Sequence, residues 1–147
     1  MAKGDRLYIK ALKEACKETD LGYYTALELL EKAIQVENDK AQYALATWYL
    51  YGKYVKKDYN KAIQLLLKSA QQNNELACFD LAVCYEKGIG VEKNTREAFI
   101  YYVKASILND LQALYEVGRC YYYGIGIHKD KKIAKVYFDA FKLYNRT

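Results

Sequence analysis

A fixed period of 36 residues runs through the chain, and nothing else in it restricts the fold as tightly. Shifted by that period, Ala41, Ala77 and Ala113 superpose, as do Tyr49, Tyr85 and Tyr121, then Gly52, Gly88 and Gly124. Asp58, Asn94 and Asp130 form the next column, followed by Ala62, Ala98 and Ala134. A repeat of this length is one supersecondary unit that cannot bury its apolar face alone, so copies must stack.

Within each copy the pattern predicts helix, loop, helix. Asn38, Asn74 and Asp110 share a column and can cap a first helix by accepting from its free backbone N–H groups. Ala41, Leu45, Trp48 and Tyr49 then fall on one helical face, matched by Ala77, Leu81, Cys84, Tyr85 and by Ala113, Val117, Cys120, Tyr121. Gly52, Gly88 and Gly124 stand where a left-handed residue ends a helix. Asp58, Asn94 and Asp130 are placed to cap second helices that bury Ala62, Leu65, Leu66; Ala98, Tyr101, Tyr102; and Ala134, Tyr137, Phe138. The absence of proline suits a chain made of helices and short turns.

Residues 1–37 read as a degenerate first copy. Asp5 is the expected N-cap of its first helix, and Thr25 with Glu28 the expected capping box of its second. The expected fold is therefore all-α: an α/α solenoid, a right-handed superhelix of about eight helices in one domain over 1–147. Full repeats are expected over 38–73, 74–109 and 110–147.

These columns resemble the Sel-one-like repeat (SLR), a relative of the tetratricopeptide repeat. The middle copy carries the resemblance through Ala77, Leu81, Ala82, Tyr85, Gly88, Gly90, Val91, Asn94, Ala98, Tyr101, Tyr102, Lys104 and Ala105. Two departures stand out. Tyr54 replaces the second loop glycine of the first full copy, which predicts a loop of different shape, and Ala140-Phe141 replaces a Lys-Ala pair. The resemblance implies a non-catalytic scaffold or adaptor that works through protein contacts. Some relatives are cysteine-rich and clip each repeat with a disulfide, but Cys78 and Cys84 do not reproduce such a pairing.

In solenoids the first helices line the concave, binding side. Opposite their core face lie Tyr43, Thr47, Leu50; Phe79, Val83, Glu86; and Tyr115, Arg119, Tyr122. Tyr43, Phe79 and Tyr115 form an aromatic row, one ring per repeat, and aromatics and arginine are favoured interface anchors. Two readings stand: a peptide-binding row, or additional core between neighbouring helices. The expected partner-binding set is Tyr43, Thr47, Phe79, Val83, Tyr115, Arg119 and Tyr122. The last helix is apolar almost all round, which makes Tyr137, Phe138, Phe141 and Tyr144 candidates for homodimer formation.

Other chemistries fare worse. Lysine-rich patches at Lys53, Lys56, Lys57, Lys61, at Lys87, Lys93, Arg96 and at Lys129, Lys131, Lys132, Lys135 allow an anion- or nucleic-acid-binding alternative, yet a net charge of +5 is mild and a solvated edge explains them. The Gly-x-Gly loops follow a helix, whereas a phosphate cradle needs a preceding strand. His128, the only histidine, has no ligand-like neighbours in sequence, and no nucleophile–base pair supports a hydrolase. No cofactor, metal or catalytic residue is expected. Cys84 and Cys120 are expected as buried free thiols. With four cysteines in no Cys-x-x-Cys pair and no signal-like apolar run, the expectation is a cytoplasmic protein without membrane association.

Overall fold

The caps that the repeat predicts are made. In this computed structural model, which describes residues 1–146, the chain forms α1 (Asp5–Ala15), α2 (Asp20–Gln35), α3 (Asp39–Tyr51), α4 (Tyr59–Gln71), α5 (Glu75–Lys87), α6 (Thr95–Ile107), α7 (Leu111–Tyr123) and α8 (Lys131–Asn145), with no strand among the described residues. Thr147, the last residue of the expected 110–147 repeat, lies outside them. Asn38, Asn74 and Asp110 each accept from the backbone N–H three residues on, at 2.9, 3.0 and 3.1 Å. Asp58, Asn94 and Asp130 do the same for α4, α6 and α8. Each such cap is worth about 1 kcal/mol.

The loops between paired helices are held by the backbone. Gly52, Gly88 and Gly124 take φ of 67°, 73° and 74°, so the next N–H turns back to Trp48, Cys84 and Cys120 carbonyls. The N–H of each second-helix cap then donates to the carbonyl of the column tyrosine: Asp58 to Tyr49, Asn94 to Tyr85, Asp130 to Tyr121, all at 2.8–2.9 Å. One loop is thus built three times.

Tyr54 does not change that loop. It adopts φ 66°, beside 69° at Gly90 and 71° at Gly126. A tyrosine pays strain there that glycine does not, and the ring offsets it by stacking on Tyr23 at 3.9 Å and meeting the Trp48 ring edge at 4.7 Å. The expected difference in loop shape is therefore corrected at the level of backbone angle. Gly126 has no such freedom. A Cβ there would lie 2.0 Å from the Thr95 carbonyl oxygen, because the loop rests directly on the start of α6.

The two expectations for the first copy are also corrected. Asp5 is the first residue of α1, not its cap; Gly4 precedes the helix with φ 86° and no side-chain cap bond. Asp5 is buried instead, accepting from Asn38 Nδ2 at 2.8 Å and from the Ala2 N–H at 2.9 Å, with Lys40 Nζ at 3.3 Å. Thr19, not Thr25, caps α2 by accepting from the Gly22 N–H; Thr25 lies inside the helix and donates to the Leu21 carbonyl. The polar patterning alone did not distinguish a cap from a polar residue inside the helix.

Contacts divide the chain into two compact units, Met1–Gln72 and Asn73–Thr147. In the N-terminal unit, α1–α4 close over Ala11, Leu30, Ala33, Leu45, Trp48 and Leu66. Buried Gln42 accepts from Gln72 Nε2 at 2.8 Å, and Ser69 donates to the Asp39 carbonyl, tying the end of α4 to the start of α3. In the C-terminal unit, α5–α8 pack around Ala82, Ala98, Tyr102, Val117 and Cys120. There the column tyrosines stack pairwise, Tyr85 on Tyr101 and Tyr121 on Tyr137, at 5.7 and 5.9 Å. Paired helices stacked in this way are α/α-solenoid architecture. Among the described residues no helix is long and apolar enough to cross a membrane.

Candidate functional site

The first helix of each repeat presents the residues singled out by the sequence, and each unit uses them differently. In the N-terminal unit, Tyr43 and Thr47 on α3 are half-buried and Leu50 is buried. The Thr47 hydroxyl is turned inward to its own helix, donating to the Ala44 carbonyl at 2.7 Å.

In the C-terminal unit, α5 and α7 bring Phe79, Val83 and Glu86 together with Tyr115, Arg119 and Tyr122. Phe79 and Val83 are half-buried against the core, and the Phe79 ring meets Tyr102 edge-on at 5.6 Å. These two therefore serve as core between helices as much as surface. Tyr115 and Tyr122 stay open, 40% and 36% exposed. Tyr115 leans on Phe138 and Phe141 of α8 at 5.3 and 5.5 Å, and Lys131 Nζ sits 4.9 Å over the Tyr122 ring.

Between the rings lies a charge network that the sequence reading missed. Arg119 Nη2 donates to both oxygens of Glu86, at 2.7 and 2.9 Å, and Arg119 Nε donates to Glu116 Oε2 at 2.6 Å. The buried Tyr102 hydroxyl donates to Glu86 Oε2 at 3.2 Å. Burial works against the Arg119 charge, yet the bonds from Glu86 and Glu116 outweigh it and hold the guanidinium protonated beyond arginine's usual range. Burial, followed by the Glu86 charge, pushes the Tyr102 phenol up. Two carboxylates against one guanidinium leave the centre one negative charge in excess. Arg119 and Glu116 were visible as an i, i+3 pair; Glu86, 33 residues before Arg119, became their partner only through stacking.

On α8, Tyr137, Phe138 and Phe141 are half-buried within the chain, engaged by Tyr121 and Tyr115. Of the four residues expected to mediate self-association, Tyr144 alone is largely open, at 56%. The lysine edge is likewise partly engaged: Lys53, Lys57 and Lys61 lie over the rings of Tyr54, Tyr59 and Tyr49 at 5.0–5.6 Å. All four cysteines are free, with Cys16 exposed and Cys78, Cys84 and Cys120 buried. Burial lifts the thiols of Cys84 and Cys120 to about 11 and about 12.

Known proteins place this geometry. The Sel1 repeat model matches residues 39–74, 76–110 and 111–146. Among solved structures, the chain is similar to c5321, a protective antigen of uropathogenic Escherichia coli strains with an SLR fold (27% identity, TM-score 0.78, covering 82% of this chain and 26% of that one). It is similar also to a Sel1 repeat protein from Oxalobacter formigenes (30% identity, TM-score 0.76, 80% and 48% covered). A third is cysteine-rich protein B of Helicobacter pylori (32% identity, TM-score 0.60, 76% and 85% covered). The chain thus spans about a quarter of the first and about half of the second. No curated protein matches it. With three in-phase copies matched over most of its length, the chain belongs to the Sel1 repeat family, whose members generally act as protein-interaction scaffolds.

Proposed function

We propose that this protein is a non-catalytic interaction module that grips a peptide or protein segment on the first-helix face of its C-terminal unit. The observation that carries the reading is the pairing of two open tyrosines, Tyr115 and Tyr122, with a guanidinium fixed by Glu86 and Glu116. Rigid aromatic rings around an ordered polar centre lose little conformational freedom when a partner docks. Tyr43 and Thr47 occupy the corresponding face of α3. A cytoplasmic home accompanies the proposal, supported by four free thiols, three of them buried.

Partners captured by the full chain are to be compared with those captured by a Tyr115→Ala/Tyr122→Ala variant, whose fold is first checked by circular dichroism and thermal unfolding because Tyr115 also packs on Phe138 and Phe141. The variant is expected to lose the bound partners, with binding that weakens only modestly as salt rises. If every partner is retained, the assignment fails. If binding instead collapses steeply with salt, the lysine edge is the contact surface.

A further inference from the structure

A second feature of the C-terminal unit lies on its outward helices. On α6, Arg96, Ile100 and Ile107 follow one another at i, i+4 and i+11; on α8, Lys132, Val136 and Leu143 repeat the same spacing one period later. At about 100° per residue these offsets keep each set within roughly 40° on one face. All six are exposed; Ile100 and Ile107 are open by 47% and 73%, Val136 and Leu143 by 66% and 65%. Ile100 and Ile107 stay open although α5 and α7 are packed against α6, so this column is not one that stacking buries. The same columns on α4 hold Asn60, Gln64 and Gln71, and on α2 Tyr24, Glu28 and Gln35. The fold is therefore satisfied by polar residues there, and the aliphatic pair with its leading cation occurs twice where it is not required.

The stripe opens onto a concavity. Arg96, Phe99, Ile100, Gly126, Ile127 and His128 line a cavity of about 470 Å³ between the start of α6 and the loop before α8. Its floor exists because Gly126 lets the loop rest on Thr95 and Phe99. Among the described residues neither Arg96 nor Lys132 has an ion-pair partner, whereas the carboxylate between Val136 and Leu143, Asp139, is taken up by Lys135 at 2.7 Å.

We propose that this outward face is a second docking surface, and that its occupant is an acidic peptide segment bearing aliphatic side chains. Its carboxylates meet Arg96 and His128 at the cavity, and its aliphatic residues lie along Ile100 and Ile107, with Lys132, Val136 and Leu143 offering the same arrangement again. Charge complementarity selects an acidic segment, which a second copy of this chain, at net charge +5, supplies less well. A cavity with the Arg96 guanidinium at one end suits inserted side chains better than the flat plane of a lipid surface.

The test uses the full chain as bait for displayed random short peptides, with the selected peptides then synthesised and titrated by fluorescence anisotropy. Ile100→Gln/Ile107→Gln/Val136→Gln/Leu143→Gln gives the stripe the glutamines that α4 already carries, and Arg96→Asn copies Asn60. Selected peptides are expected to combine Asp or Glu with Leu, Ile or Val, and to bind the glutamine variant about tenfold more weakly or worse. Arg96→Asn should weaken them too, by a factor that shrinks as salt rises, while Tyr115→Ala/Tyr122→Ala leaves them unchanged. That last arm separates this surface from the first-helix face. Selection that yields no binder, peptides lacking the acidic-aliphatic combination, or undiminished binding to both stripe variants overturns the proposal. So does a dimer abolished by the glutamine variant, or binding to phosphatidylserine vesicles in place of peptide.

Discussion

Arg119 on α7 grips Glu86 on α5 through both carboxylate oxygens, at 2.7 and 2.9 Å, while its Nε holds Glu116. The ion pair is half-sheltered, with side-chain exposures of 26% and 17%. It makes one repeat of the C-terminal unit answer to the next through charge as well as packing.

Removing the guanidinium leaves two sheltered carboxylates facing each other. Arg119→Ala should destabilise the protein by about 1–2 kcal/mol, between the values for exposed and for buried pairs. Adding Glu86→Gln should recover part of that loss, because one orphaned charge disappears. A double-mutant cycle from urea unfolding checks it; strict additivity would mean that the two side chains do not cooperate.

Tyr54 and Gly126 occupy one column with opposite tolerances. At Tyr54 the left-handed backbone costs roughly 1–2 kcal/mol, and each ring contact returns about 0.5–1.5 kcal/mol beyond burial. Tyr54→Gly should therefore be mildly destabilising, and Tyr54→Ala more so, since it keeps the strain and loses the rings. Gly126→Ala should exceed both, because its Cβ would collide with the Thr95 carbonyl. Denaturant midpoints of the three variants establish the order.

Thiol reactivity should be sharply uneven. Cys16 is exposed, while burial raises the thiols of Cys78, Cys84 and Cys120. Only the thiolate attacks a disulfide reagent, so at neutral pH one thiol should react quickly with an aromatic disulfide and three only after denaturant is added. Fast reaction of more than one thiol in the native protein would contradict the packing of α5 and α7.

Asp5 ties acid stability to the N-terminal unit. The Asn38 amide, above all, and then Lys40 and the Ala2 N–H hold its carboxyl below the ordinary value of 3.8. A depressed folded value stabilises the fold above the ordinary value, and that contribution is lost as pH falls through the folded one. Thermal midpoints should thus drop on acidification below about pH 4. Asp5→Asn should lower the midpoint at neutral pH and flatten this acid dependence.

Much of this was legible from the chain. The period placed the helix pairs, the six cap residues of the full repeats and the three helix-ending glycines, because each rests on contacts a few residues apart. Reading failed at the start of the chain, where Gly4 and Thr19 mark the helix ends in place of Asp5 and Thr25. Several polar residues there could cap a helix, and long-range partners such as Asn38 decided which would be buried. The first-helix residues were legible as a set, though not in their roles: Phe79 and Val83 went partly to core, and Arg119 to Glu86.

By itself, then, the sequence determined an all-α stack of Sel1 repeats, since local spacing and capping are enough to specify each copy. Only the tertiary structure decided which side chains that stack leaves for a partner. Stacking of the helices sets Glu86 against Arg119 and leaves Tyr115, Tyr122, Ile100 and Val136 open, because the pairing and the exposure depend on residues that no short window of sequence contains.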